Sequence, residues 1–156
     1  MSKYDLKDAY KIIPAKPEDY RLQGIRWLGK YFFEKRMIFG NRPSVPNFDI
    51  LGNSIRSLSL VKCSIPRRLV LRCLDDVPSV CPKSKPEWGI EFNSSYEDVS
   101  SNIKVKLAES CPNYEKAFKL STHGRVLGIN FDSESMTWSF PNEKIALVLK
   151  DPRFCV

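Results

Sequence analysis

Histidine is almost absent from this sequence, and its cysteines are not spaced for zinc. The 156 residues include one histidine, His123, and five cysteines that form no C-x-x-C pair. Structural zinc sites use cysteine and histidine ligands at short, regular spacings, so we do not expect one here. The thiols are expected to be reduced and mostly buried, as in an intracellular protein. His123 lies in a turn-like segment and is predicted to be a loop residue rather than a catalytic base.

The sequence also lacks a long apolar run. No stretch approaches the roughly 20 apolar residues of a membrane span, and the start, Met-Ser-Lys-Tyr-Asp, has no apolar signal region. We therefore expect an intracellular protein of the cytoplasm or nucleus, with no membrane partner. The length, with 42% hydrophobic and 12% aromatic residues, fits a single globular domain over residues 1–156.

Acidic residues are fewer than basic residues, and the resulting positive charge favours a polyanionic partner. Lys and Arg total 25 against 18 Asp and Glu, giving a formal net charge of +7. The charge is spread along the chain, and many basic proteins bind nothing acidic. Charge alone therefore leaves nucleic-acid binding and its absence equally open.

Hydrophobic periodicity predicts alternating strands and helices, and hence an α+β fold with helices packed on one face of an antiparallel sheet. The apolar residues that define the two main helix faces are Phe48, Leu51, Ile55 and Leu58, then Phe92, Tyr96, Val99 and Ile103. The other predicted elements are a strand and turn over 4–13, a hairpin of 21–27 and 31–37 turning at 28–30, a strand carrying Asp75, strands over 125–131 and 136–140, and a last helix from Glu143 capped by Asn142.

Two adjacent aspartates, Asp75 and Asp76, interrupt an apolar region rich in β-forming residues. Carboxylates in such a stretch are costly to desolvate unless a cation compensates them, which favours a hairpin turn that presents them to a divalent metal ion. A solvated Asp-Asp turn explains the same residues, because aspartate is a favoured turn residue.

A second acidic segment lies near the amino end, where Asp5, Asp8 and Tyr10 begin another apolar stretch. If Asp5 converged with Asp75 and Asp76, the three carboxylates would supply what two-metal phosphoryl transfer needs: oxygen ligands for ions roughly 3.5–4 Å apart.

Four segments in this order and spacing resemble successive palm motifs of a reverse transcriptase. They are Asp5-Leu-Lys-Asp-Ala-Tyr10, Phe39-Gly40-Asn41-Arg42-Pro43-Ser44 leading to Phe48, Leu74-Asp75-Asp76, and Val126-Leu127-Gly128-Ile129. The resemblance is closest to retroelement polymerases that carry a tyrosine recombinase, the DIRS and Ngaro-like group. It implies a polymerase palm with part of the fingers, in which about 11–38 form a fingers-like hairpin and 141–156 begin a thumb-like or connecting segment.

The resemblance implies an RNA-directed DNA polymerase. Asp5, Asp75 and Asp76 would be its catalytic residues and its ligands for Mg²⁺ or Mn²⁺. Tyr10 would lie under the sugar of the incoming nucleotide, where a core tyrosine is an equal alternative. Gly40 would approach the nascent base pair, although a tight turn explains the same glycine. Lys116 would lie near the leaving pyrophosphate, or be a surface lysine.

The implied partners are an RNA or DNA template-primer, deoxynucleotides and the remainder of a larger retroelement polyprotein. Arg42, Ser44, Leu127 and Gly128 would contact nucleic acid, with the last two starting a primer-gripping hairpin. An exposed arginine at position 42 could equally be only solvated.

Three departures from the resemblance keep other functions open. Cys73 stands where these polymerases have an aromatic residue, and both the upstream fingers and a full thumb are expected to lie outside this chain. The first alternative is a catalytically inactive relic that binds nucleic acid or a protein. The second is a metal-dependent nuclease, which would use the same carboxylates without a nucleotide pocket.

Overall fold

The computed structural model describes residues 1–103 and 117–150 and has the predicted mixed α+β fold. Within these ranges the strands and α-helices are β1 (Ser2–Asp5), β2 (Gly24–Trp27), β3 (Lys30–Phe33), α1 (Ser44–Val61), β4 (Asp76–Ser79), α2 (Pro86–Asn102), β5 (His123–Val126), β6 (Ile129–Asp132), β7 (Thr137–Ser139) and α3 (Asn142–Lys150). Short 3-10 helices cover Ala9–Ile12, Pro17–Gln23 and Arg67–Leu69. The paired strands are antiparallel. None of the described helices is long and apolar enough to cross a membrane.

The central sheet is built on β1 and β4, which pair along their whole lengths. Isolated bridges extend it on both sides: Phe118 pairs with Lys3, and Val70 pairs with Ser79. Because each added segment comes from a different part of the chain, this sheet brings together residues that are far apart in sequence.

Helix α2 covers one face of the central sheet. Tyr4 of β1 stacks on Tyr96 of α2, with ring centroids 5.0 Å apart. The Ser2 hydroxyl donates to Asn93 Oδ1 at 2.8 Å and lies 2.7 Å from the Ser79 hydroxyl, all three side chains being buried. Since strand side chains alternate between faces, this packing leaves the other face of β1 and β4 to the site described below.

The predicted buried face of α1 is confirmed at Phe48 and Ile55, which are fully buried, but Leu58 is 52% exposed. Ser59 takes the buried place instead. Its carbonyl accepts a hydrogen bond from Ser95 Oγ of α2 at 2.9 Å, so a small residue allows the two helices to approach closely. The prediction was wrong at Leu58 because helix packing, rather than hydrophobicity alone, selects the residue at this contact.

The face predicted for α2 is confirmed at Phe92, Tyr96 and Val99, which are all buried. Ile103 follows the last residue of the helix and is 41% exposed. The periodicity therefore located the face correctly but extended it past the end of the helix.

The predicted hairpin before α1 is present and shorter than expected. Strands β2 and β3 pair from Gly24 opposite Phe33 to Trp27 opposite Lys30, so Lys30 belongs to the strand rather than the turn. The turn residues Leu28 and Gly29 have φ values of 48° and 74°. Two left-handed residues are typical of the tight turn that matches the twist of paired strands.

The region 125–131, predicted as one strand, is a hairpin. Strands β5 and β6 are joined by Leu127 and Gly128, which have φ values of 50° and 74°. The prediction was wrong because leucine rarely adopts a left-handed conformation, and a single glycine gave a weak turn signal.

At the carboxyl end, β7 lies inside the predicted strand and α3 begins at Asn142. The carbonyl of Pro141 accepts bonds from the N–H groups of Lys144 and Ile145 at 2.9 and 3.2 Å. Pro141 therefore occupies the position flanking the helix that was predicted for Asn142.

Candidate active site

The paired aspartates lie at a tight turn, as predicted. Backbone bonds join Cys73 and Asp76 in both directions: the Cys73 N–H donates at 2.8 Å, and the Asp76 N–H donates at 3.0 Å. Leu74 and Asp75 form the turn between them, and Leu74 has a φ of 55°. Asp76 is the first residue of β4, so one aspartate lies in the turn and the other begins the strand.

The register of the central sheet brings Asp5 to the same turn. Asp5, the last residue of β1, is directly opposite Asp76, and the next N–H, of Leu6, donates to the carbonyl of Asp75 at 3.3 Å. Residues directly opposite in an antiparallel pair project from the same face. The Asp5 and Asp76 side chains therefore share a face, and the backbone of Asp75 lies beside them, although Asp5 is some 70 positions away in sequence. We call this end of the sheet the carboxylate edge (Asp5, Asp75 and Asp76).

A cation of the protein itself lies at this edge. Lys3 Nζ is 3.2 Å from Asp76 Oδ1, and the two side chains are 5% and 17% exposed. The sequence carried a signal for this pair, since Lys3 precedes Asp5 by two positions in a strand and so shares its face. The signal was missed because lysine is rarely buried.

The carboxylate edge has the donor chemistry for Mg²⁺, since magnesium prefers oxygen ligands. However, in the part of the chain that the structure describes, no three His, Cys, Asp or Glu side chains are arranged as a ligand set. The carboxylates are brought together by the backbone, and Asp76 is engaged by Lys3.

Tyr10 and Gly40 lie on the α1 side of this region. Tyr10 is 5% exposed, and its ring contacts those of Phe39 and Phe48 edge-on, with centroids 4.7 and 5.1 Å away. Gly40 has a φ of 89°, and a Cβ added there would meet nothing within 4 Å. The turn conformation is therefore sufficient to explain this glycine.

The residues predicted to contact nucleic acid differ in exposure. Arg42 is exposed, whereas Ser44 is buried and its hydroxyl donates to the carbonyl of Ile38 at 2.7 Å. Because that hydroxyl is buried and hydrogen-bonded within the fold, Ser44 is not accessible to nucleic acid in this structure. Leu127 is exposed at the tip of the β5–β6 turn beside Gly128. Lys116 lies outside the described residues.

Arg72 is a second buried cation that the sequence did not reveal. Its guanidinium lies against α1, where it forms an ion pair with Asp49 and donates to the carbonyl of Phe48 at 3.3 Å. A Cβ at Gly52 would overlap it. Arg72 precedes Asp75 by three residues, so this contact ties the aspartate turn to α1.

The Tyr96 hydroxyl is buried behind the carboxylate edge. Burial raises the pKa of Tyr96, with the charge of Arg72 opposing the rise and that of Asp5 adding to it. Neither the hydroxyl nor Arg72 Nε has a hydrogen-bond partner among the described residues. The charge of Asp5 therefore acts on the buried Tyr96 hydroxyl, and its strand is paired with the aspartate turn.

No family model matches the sequence, and no curated protein matches it significantly. The structure is similar to that of foamy viral protease-reverse transcriptase dRH in complex with double-stranded DNA, with a TM-score of 0.73, 13% identity, and coverage of 96% of this chain and 24% of that one. Two further structures of the foamy viral protease-reverse transcriptase are similar over 96% of this chain. The complex with double-stranded DNA has a TM-score of 0.70, 14% identity and 28% coverage of its chain. The complex with an RNA/DNA hybrid has a TM-score of 0.69, 15% identity and 18% coverage.

These similarities show a reverse-transcriptase-like fold. The chain spans about a quarter of the length of the first of these proteins.

Proposed function

We propose that this chain is the palm, with part of the fingers, of an RNA-directed DNA polymerase from a retroelement of the DIRS and Ngaro-like group. The observation that carries the proposal is the register of β1 and β4, which brings Asp5 beside Asp75 and Asp76 in a chain with a reverse-transcriptase-like fold. Convergence of carboxylates from distant motifs is what nucleotidyl transfer with two metal ions requires.

Asp5 and Asp75 would be the principal ligands for Mg²⁺ or Mn²⁺, and Asp76 the neighbouring carboxylate. Bound there, the metal would stabilise the attacking and leaving oxygens of nucleotidyl transfer. The protein's part is to hold the carboxylates in place, and backbone bonds on both sides of the Leu74–Asp75 turn do this. A carboxylate on a backbone that is fixed by such bonds needs little reorganisation when a metal ion binds.

Tyr10 would support the sugar of the incoming deoxynucleotide and exclude a 2′-hydroxyl by sterics. Its ring is held by Phe39 and Phe48, so it would not move aside without disturbing the core. Gly40 would lie beside the nascent base pair, and Lys116 would neutralise charge on the leaving pyrophosphate.

The partners would be an RNA or DNA template-primer and the remainder of a larger polyprotein. Similar structures are complexes with DNA or an RNA/DNA hybrid, and the net charge of +7 favours a polyanion. Arg42 would contact template phosphate, and the turn at Leu127 and Gly128 would contact the primer.

A catalytically inactive relic that binds nucleic acid is the second candidate. Two observations favour it: Lys3 engages Asp76, and the exposed Cys73 replaces the expected aromatic residue beside the turn. In a relic, binding would need neither Mg²⁺ nor Asp75, and its logarithm would fall with log salt by about 0.7 per phosphate contacted on a single strand.

Primer extension on an RNA template with Mg²⁺ and four deoxynucleotides tests the proposal. The matched variants are Asp75→Asn and Asp98→Asn, which remove the same charge at the carboxylate edge and at an exposed site on α2. The proposal predicts extension that Asp75→Asn abolishes and Asp98→Asn preserves. No extension by the folded chain, with primer-template binding unaffected by Mg²⁺ or Asp75→Asn, would favour the relic.

A further inference from the structure

We propose that Lys3 is the resident cation of the carboxylate edge and competes with a divalent metal ion for Asp76. The inference rests on the proposed function for its choice of ligand. It assigns a role to a residue that is neither a metal ligand nor part of the four motifs. Lys3 would set how strongly the edge binds the ion, and so act as a positioning residue for Asp76.

Strand pairing on both sides fixes the backbone of Lys3 beside the carboxylate edge. Its N–H donates to the carbonyl of Phe118 at 2.9 Å, and its carbonyl accepts from the Phe118 N–H at 3.0 Å. On its other side, Lys3 is paired with Pro78 of β4. Lys3 is therefore an interior position of the sheet, flanked by chain on both sides.

The register directs the Lys3 side chain to Asp76. Asp76 is two positions from Pro78 along β4, which makes it the diagonal neighbour of Lys3. Diagonal neighbours lie within reach of long side chains on the same face. The observed Nζ to Oδ1 distance of 3.2 Å fits this geometry.

Charge and burial explain why a lysine belongs there. Lys3 is 5% exposed and Asp76 is 17% exposed at the side chain, and buried charges are retained only when they are paired. Asp5 and Asp76 lie opposite each other on one face, where their carboxylates repel, and a lysine offsets part of that repulsion. A divalent ion at the same edge would be repelled by the ammonium group and would have to replace it at Asp76.

The prediction concerns Mn²⁺ affinity, because Mn²⁺ substitutes for Mg²⁺ at oxygen sites and its binding can be followed by electron paramagnetic resonance without any reaction. The Lys3→Met variant keeps the side chain long and removes the charge. It is expected to bind Mn²⁺ about tenfold more tightly than the original chain, since the charge is close and mostly buried. Lys3→Arg keeps the charge and is expected to bind as the original chain does.

Asp76→Asn shows whether the gain comes from competition for this carboxylate. In the original chain, where Lys3 holds Asp76, the substitution should change Mn²⁺ affinity little. In the Lys3→Met background it should remove most of the gain. Far-ultraviolet circular dichroism of each variant restricts the comparison to folded protein. Lys3→Gln, which also removes the charge and leaves Asp76 in place, replaces Lys3→Met if that variant does not fold.

The proposed role of Lys3 and the proposed polymerase function would be contradicted by different results. Equal Mn²⁺ affinity in folded Lys3→Met and the original chain, or no Mn²⁺ binding by either, would overturn the role of Lys3. A gain that Asp76→Asn removes would support it, even if the chain extends no primer. Failure of extension alone would count against the polymerase proposal and leave the competition intact.

Discussion

A methyl group at position 52 tests how the aspartate turn is held against α1. In a Gly52→Ala variant, the new Cβ would overlap Nε of Arg72 and lie 2.5 Å from its Nη2, closer than real Cβ contacts come. The Arg72 side chain is 4% exposed and donates to the carbonyl of Phe48. The guanidinium would therefore have to shift, and its burial leaves it little room to do so.

The magnitude follows from opposing effects. Replacing a mid-helix glycine by alanine stabilises a helix by about 1 kcal/mol. Against this, losing a hydrogen bond from a charged group costs about 1.5–3 kcal/mol, and overpacking costs about 1–3 kcal/mol. The ion pair with Asp49 adds little, because that carboxylate is 52% exposed. Partial relaxation of the surrounding side chains reduces the combined cost of overpacking and the lost hydrogen bond. We expect a net destabilisation of about 1–3 kcal/mol.

A double-mutant cycle with Arg72→Ala separates the overlap from other effects. Urea denaturation followed by circular dichroism gives the free energy of unfolding for the four proteins. Without the guanidinium the three atoms nearest to the new methyl group are gone, so Gly52→Ala should then stabilise the protein by up to about 1 kcal/mol. The reasoning would be refuted if Gly52→Ala changed stability equally in both backgrounds.

Three further predictions concern single residues. Cys73 is exposed, whereas burial raises the pKa of the Cys63 thiol, so iodoacetamide should modify Cys73 at least about tenfold faster by mass spectrometry; equal rates would contradict this. Hydrogen bonding, mainly from the Ser135 hydroxyl, lowers the pKa of Asp132 from 3.8 to about 2. Its contribution to stability should be present above pH 4 and lost as the pH falls through 2, so the stability of the protein relative to Asp132→Asn should fall across that window; a difference that does not change with pH would argue against it. Leu74→Gly should raise the free energy of unfolding by up to about 1 kcal/mol, because leucine at a φ of 55° is strained, and a lower value would show that the turn accommodates leucine.

Local patterns were sufficient for most elements of the fold. The paired aspartates among β-forming residues indicated a turn, and the spacing of Phe48 and Ile55 indicated a buried helix face, because both depend on nearby residues. The position of the turn at Leu127 and Gly128, inside a stretch predicted as one strand, was missed because a left-handed conformation is unusual for leucine. Leu58 was misassigned because the contact between α1 and α2 favours a small residue, and that contact is not local.

The carboxylate edge was predictable only through the order of the motifs. Nothing in the residues around Asp5 or Asp75 specifies that their strands pair, since register depends on the whole sheet. Lys3 and Arg72 were missed for a different reason. Burial of a lysine or arginine is the exception, and the partners that permit it, Asp76 and Asp49, lie far along the chain.

Single-nucleotide addition by a set of carboxylate variants tests the central claim that Asp5 and Asp75 form a reaction centre. Asp5→Asn, Asp75→Asn, Asp76→Asn and the surface control Asp98→Asn are compared on one RNA template-primer with Mg²⁺. The account predicts that the first two abolish addition, that Asp76→Asn weakens it less because Lys3 already engages that carboxylate, and that Asp98→Asn leaves it unchanged. Addition that survives Asp5→Asn or Asp75→Asn, in proteins shown to be folded, would contradict it.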